Sequence, residues 1–249
     1  LGPRFSTVWS LIEAIVDLSS FCQCSPKDYS SILGSTQWQN LLNRPLFSCL
    51  HVAYAFARTQ PLDKVISLWP NALAELQLNC CLSALWIVDL CRPWASRVFA
   101  TVASPSFGFG VCQAKLDPHL VREAASVAGR GPHHFHLRNR IGDESDKPRA
   151  GTRHALPLHW GDFKMVLSSR ASRKEHDGQL EAEGAFLALR RAARDVKSHG
   201  VRQPILMDAI AVLSALQKGR SSDTTLRSCI RRCSVLLLAG NHPHCLEPC

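Results

Sequence analysis

One stretch, RVFATVASPSFGFGVC from Arg97 to Cys112, restricts the fold more than any other. Val98, Phe99, Ala100, Thr101 and Val102 form an apolar, β-branched run, Ala103-Ser104-Pro105-Ser106 breaks it, and Phe107-Gly108-Phe109-Gly110-Val111 resumes it. This predicts a strand, a tight turn and a second strand. A hairpin of this kind often presents a carboxylate at the end of its first strand, and here the place is held by Val102.

The segments that follow set the class. DFKMVLSSR, Asp162 to Arg170, predicts a third strand with Phe163, Met165 and Leu167 on one face. QLEAEGAFLALRRAARDVKSHG is the clearest helix: Leu180, Gly184, Leu187 and Arg191 trace one row, and Gly200 suits its C-cap. PILMD is a short apolar strand ending at Asp208, followed at once by a helix, AIAVLSALQKG. A last helix is predicted from Thr224 to Ala239, after which Gly240 and two prolines are expected to end order in a disordered tail. Strand, strand, strand, helix, strand, helix, helix is an α/β order, in which a three-strand antiparallel meander leads through a helical crossover to a parallel strand. The right-handed crossover rule places the Leu206 strand beside the first. Asp208 and Val102 then meet, with Glu181 and Glu183 at the acidic start of the long helix facing them.

The first 95 residues have another character, helical and mostly uncharged. Helices are predicted over Ser6–Ser20, Thr36–Thr59 and Asn71–Asp89, with Pro26, Pro45, Pro61 and Pro70 as punctuation. Leu46, Leu50, Tyr54 and Ala57 recur at helical spacing and read as a buried stripe. Pro93-Trp94 stops the helical region before the hairpin, giving domains of 1–95 and 96–249. Within the second, Pro118 to Ala128 predicts a short helix, and the Gly-, Pro-, His- and Arg-rich run from Gly129 to His159 has no sustained period and reads as a long loop, so that residues 115–160 form an insertion.

Charge separates the same two regions. Residues 1–114 hold seven basic and six acidic side chains, and 115–249 hold 22 and 14, so the later region carries +8 of the net +9. That asymmetry points to a polyanionic partner. Arg190, Arg194 and Lys197 share one side of the long helix, Lys218 and Arg220 lie in the loop after the next helix, and Arg231 and Arg232 follow. Such residues would touch phosphates without regard to sequence and with strong salt dependence. The competing reading is a solvated helix face.

The 11 cysteines are odd in number, scattered, and include the adjacent pair Cys80-Cys81, a pattern suited to a reducing compartment, cytoplasmic or nuclear. The chain opens Leu-Gly-Pro-Arg and is read as a fragment or a processed product. No basic n-region precedes a clean apolar core, and the most apolar helix candidate contains Glu75 and Asp89, which supports neither secretion nor membrane insertion. His133, His134 and His136, and His242, His244, Cys245 and Cys249, are residue types that zinc accepts, yet the usual paired knuckles are absent. Cys229 and Cys233, one helical turn apart, read as packing residues.

Several of these pieces together resemble a family. ATVASPSFGFGVC is similar to the hairpin, LEAEGAFLALR to the first helix, and ILMDAIAVLSALQKGRSS to the following strand–helix segment of the ribonuclease H-like domain in retroelement polyproteins, especially DIRS-type and related retrotransposons. Upstream, LWPNALAELQLNCCLSALWIVDLCRPW resembles the connection between polymerase and nuclease. The resemblance spans roughly residues 45–240 and implies a ribonuclease H-like mixed sheet with flanking helices. In that family clustered acids hold two Mg²⁺ or Mn²⁺ ions about 4 Å apart for phosphodiester hydrolysis. By position, Glu181 matches the helix acid and Asp208 the acid after the fourth strand, while Val102 falls where the family has its first aspartate. The family also continues beyond the last helix with a strand and a further acid, so two of four ligands are expected to be missing. The resemblance implies a degenerate domain that binds an RNA/DNA hybrid or duplex with hydrolysis impaired. Two alternatives stand beside it: a working divalent-metal nuclease in which Glu183 or another acid compensates, and a decayed insertion without selected function. No paired-aspartate polymerase turn occurs anywhere.

Overall fold

The computed structural model describes residues 1–104, 107–127, 134–138, 153–171, 177–240 and 244–248. Two compact units share the chain: Leu1–Leu90 with Lys218–Arg220, and Cys91–Gln217 with Ser221–Cys249.

The first unit is built from α1 (Phe5–Phe21), α2 (Pro26–Asn40), α3 (His51–Thr59) and α4 (Pro70–Cys81), with a two-residue ladder between β1 (Gln23–Cys24) and β2 (Ile66–Ser67). Prolines start helices here because the first turn needs no amide hydrogen. Pro26 follows Ser25, whose Oγ accepts the Asp28 amide at 3.1 Å and caps α2. The single helix expected over Thr36–Thr59 is divided: Pro45 opens a 3₁₀ segment, Arg44–Cys49, between α2 and α3. The buried stripe turns with it, following Leu46, Leu50, Ala53 and Phe56, while Tyr54 and Ala57 are only partly covered. Similarly α4 stops at Cys81, well short of Asp89, and the chain turns to bury Trp86, whose Nε1 donates to Asn40 Oδ1 at 2.9 Å. Tyr29, edge-on to Phe56 with ring centroids 4.7 Å apart, donates its hydroxyl to the Ala72 carbonyl.

The second unit contains a five-stranded mixed sheet and is α/β, as the order of its segments predicts. β3 (Arg97–Ser104) pairs antiparallel with β4 (Gly108–Lys115), and β4 antiparallel with β7 (Lys164–Ser169). β8 (Gln203–Met207) lies parallel on the other side of β3, followed by β9 (His244–Pro248), so the spatial order is β7-β4-β3-β8-β9. α5 (Pro118–Val127) follows the hairpin, β5 (His134–Arg138) and β6 (Arg153–His159) form a separate parallel pair, and α6 (Asp177–Ala193), α7 (Ile210–Lys218) and α8 (Thr224–Ala239) complete the unit.

Alternation along the strands supplies two cores. Phe99, Val111, Ile205 and Met207 face Ala182, Ala185, Leu189, Val212, Ile230 and Cys233 of the three later helices. Val98, Ala100, Ala114 and Leu206 pack on the other face with Leu116, Val121 and Leu158. The alanine-rich side of α6 permits close approach: a Cβ on Gly184 would sit 3.4 Å from Thr101 Cβ. The hairpin depends on a second glycine, Gly108, at φ +106°, where a Cβ would lie 2.1 Å from the Ser169 carbonyl oxygen.

Four further expectations are corrected. The C-terminal tail, expected to be disordered and to lack a further strand beyond the last helix, adds β9, with Gln203 to Met207 aligned on His244 to Pro248. The expected loop from Gly129 to His159 contains β5 and β6. α6 ends at Ala193 because Asp195 takes the Lys197 amide at 3.1 Å and starts a 3₁₀ turn, leaving Gly200, at φ +70°, to turn the chain into β8. Finally, Phe163, Met165 and Leu167 do not share a face, since a bulge between Val111 and Cys112 shifts the register of β7. Val166 and Leu167 turn towards α6, Phe163 packs on the opposite core, and Met165 is 67% exposed.

Candidate functional site

Two ends of the sheet carry the residues of interest, and α6 runs between them. Gly184 sits over Thr101, and Asp195, just past the helix, reaches Arg97 at the start of β3. The helix therefore runs antiparallel to β3, with its N-terminal turn at the end of that strand.

At that end, Phe99 stands opposite Ile205 and Ala100 opposite Leu206; Val102 lies two residues further along β3, and Asp208 directly follows β8. Neighbouring strands lie about 4.8 Å apart. Glu181 precedes Gly184 by three residues, about 4.5 Å of helix, which carries it past Thr101 to the level of Val102 and Ala103. Glu181, Val102 and Asp208 are thus brought to one pole of the sheet. Val102 is 49% exposed and continues the row of Val98 and Ala100, facing away from α6, whereas Glu181 comes from the α6 side and is half-buried. The Val102 isopropyl group offers no lone pair to a ligand at that end of the sheet. Glu183 is engaged elsewhere: its Oε1 accepts from Arg232 Nη1 of α8 at 2.5 Å, and the same guanidinium covers the Phe186 ring at 3.7 Å from its centroid. Glu247, in β9, stands opposite Leu206 in the ladder.

The other pole is basic. Leu187, Arg190 and Arg191 at the end of α6 and Arg194 and Asp195 just past it, with Arg97 and Leu167, line an open cleft of about 340 Å³. Arg97 donates through Nη2 to Asp195 Oδ2 and to Ser198 Oγ. The Arg97 hydrogen bond, helped by the Lys197 amide, holds the Asp195 carboxyl below the ordinary aspartate range. Among the described residues, the guanidinium groups of Arg190, Arg191 and Arg194 have no ion-pair or hydrogen-bond partner.

The remaining basic residues disperse. Lys197 is exposed in the 3₁₀ turn and does not line the cleft. Lys218 and Arg220 belong to the first unit, where the Arg220 guanidinium lies 5.1 Å from the Tyr54 ring centroid and 5.8 Å from that of Phe47. Arg190 and Arg194 stay together, while Arg97 and Arg191 join them. Sequence spacing alone could have found Arg191, which follows Leu187 by one turn, but Arg97 is brought in by the strand–helix packing.

Of the histidine and cysteine clusters, His133, His242 and Cys249 lie outside the described residues, while His134 and His136 fall in β5 and His244 and Cys245 in β9. Cys229 and Cys233 are buried on α8, and hydrogen bonding between them together with burial pushes the Cys233 thiol well up. The cysteines whose side chains are described are all free thiols. Among the described residues no helix is long and apolar enough to cross a membrane. No protein-family model matches the chain, and no curated protein matches it in sequence.

Proposed function

We propose that this chain is a ribonuclease H-like module that binds an RNA/DNA hybrid or duplex through its phosphates and has lost hydrolysis. The observation that carries this reading is the parallel pairing of β3 with β8, whose shared end is followed by Asp208 and approached by the first turn of α6, which holds Glu181. The spatial order of the sheet, third-second-first-fourth-fifth along the chain with the last two strands parallel to the first, supports the same ancestry. The excess of +8 in the later region supports a polyanionic partner.

The donor set does not fit a two-ion centre. Such a centre needs carboxylates clustered around both ions, and Val102 supplies none at the end of β3. Glu183 is turned to Arg232. Among the described residues no three His, Cys, Asp or Glu side chains are grouped to hold a metal ion. No hydrolytic step is therefore assigned to Mg²⁺ or Mn²⁺ here.

The test pairs binding with cleavage on the whole chain. Fluorescence anisotropy with a labelled RNA–DNA hybrid should show binding whose log–log salt slope is about −3, the value for three or four phosphate contacts. The same hybrid should stay intact in either ion. Product that disappears on Glu181→Gln would instead establish a working nuclease, and a purified chain with neither binding nor cooperative unfolding would favour a decayed insertion.

A further inference from the structure

The arginine cleft poses a problem that fold maintenance does not solve. Arg194 stands four residues from Arg190 and three from Arg191, spacings at which like charges on a helix repel. Arginines near a helix C-terminus do gain from the macrodipole, but that accounts neither for Arg97 arriving from β3 nor for the apolar floor of Leu167 and Leu187. Nor does the single acid offset them: Asp195 already accepts from Arg97 and from the Lys197 amide. Four guanidinium groups against one carboxylate leave the lining at +3.

We propose that this cleft is a binding site for a phosphate-bearing ligand. A phosphate group offers more than one negative charge and three acceptor oxygens, and the planar guanidinium fork binds such oxygens in pairs. A carboxylate satisfies only one fork. Leu167 and Leu187 give the non-phosphate part of the ligand, a sugar or base face, an apolar surface to rest on. Arg97, fixed by Asp195 and Ser198, holds the strand side of the cleft in place, while the three helix arginines are free to close on the ligand. The site stands on this geometry alone and does not require the ribonuclease H-like reading, because Arg190 lies nine residues, about 13.5 Å of helix, from Glu181. The phosphate can belong to a free nucleotide or to a nucleic-acid backbone.

The test is titration calorimetry on the full chain at low salt with inorganic phosphate, AMP and a 12-nucleotide single strand. Arg191→Gln combined with Arg194→Gln should weaken whichever probes bind by at least tenfold, with Arg191→Lys combined with Arg194→Lys recovering only part of the loss. Lys27→Gln combined with Lys64→Gln, on exposed residues of the first unit, removes the same charge and should change affinity less than twofold. AMP binding as tightly as the oligonucleotide identifies a free-nucleotide site. A much tighter oligonucleotide with a steep salt slope identifies a backbone site. Equal losses in the two Gln pairs would reduce the effect to net charge and overturn the proposal, as would the absence of binding by all three probes. The Lys pair, which keeps every charge, decides the matter if the Gln pair fails to fold: full wild-type affinity in it overturns the site.

Discussion

Val102→Asp tests whether the pole formed by β3, β8 and α6 is a metal site lacking one ligand. The new carboxylate would stand on a strand adjacent to Asp208, roughly 5 Å away, and at an effective dielectric of about 40–80 the repulsion is about 1 kcal/mol. Losing a half-buried valine adds about 1 kcal/mol more. The variant without divalent ion should therefore melt roughly 4–8 °C lower, at about 2–4 °C per kcal/mol for a chain of this size. If the introduced carboxylate then shares an ion with Asp208, at a dissociation constant on the order of 1 mM, 10 mM Mg²⁺ returns about 1.4 kcal/mol. Scanning calorimetry should show a Mg²⁺-dependent rise of about 3–6 °C in the variant and none in the natural chain. Val102→Asn, which adds neither charge nor a good ligand, should show neither the fall from repulsion nor the recovery. A folded Val102→Asp protein whose melting is indifferent to Mg²⁺ would refute the pairing of position 102 with Asp208.

Other consequences are more local. Arg97 keeps the Asp195 carboxyl below its ordinary value, so the pair's contribution is present at neutral pH and is lost as pH falls through the folded-state value. Arg97→Met should consequently flatten the acid side of the stability profile while changing the pH 7–9 portion by a constant only, and an unaltered acid limb in urea melts would contradict the assignment. Gly108→Ala should cost about 3 kcal/mol or more, since it must leave φ +106° and clear the Ser169 carbonyl; a melting change under 1 °C would show that the turn is not as described. Trp86→Phe removes the donor to Asn40 in a fully buried site and should cost about 2–4 kcal/mol by denaturant titration. Less than about 0.5 kcal/mol would mean the bond is not formed.

Elements whose period is carried by their own residues were legible in sequence. β3, β8 and α6 were read because β-branched runs and an alanine–leucine helical row signal burial locally. The placing of β8 beside β3 followed from the crossover rule, which needs only the order of elements. What stayed hidden depends on distant partners. Asp195 ends α6 early because Arg97, nearly a hundred residues before it, and the following amide both claim its carboxylate. β9 could not be read from NHPHCLEPC, whose two prolines and polar residues look like a terminus until β8 offers an unpaired edge. The basic residues illustrate the same limit: helical spacing groups Arg190 with Arg194, but nothing near Arg220 in the chain announces the rings of Tyr54 and Phe47.

α6 joins the valine pole to the arginine cleft as a single seventeen-residue rod whose alanine side is locked onto the sheet. Because that rod is held along its length by the sheet, side-chain changes confined to one end leave the backbone frame of the other end in place.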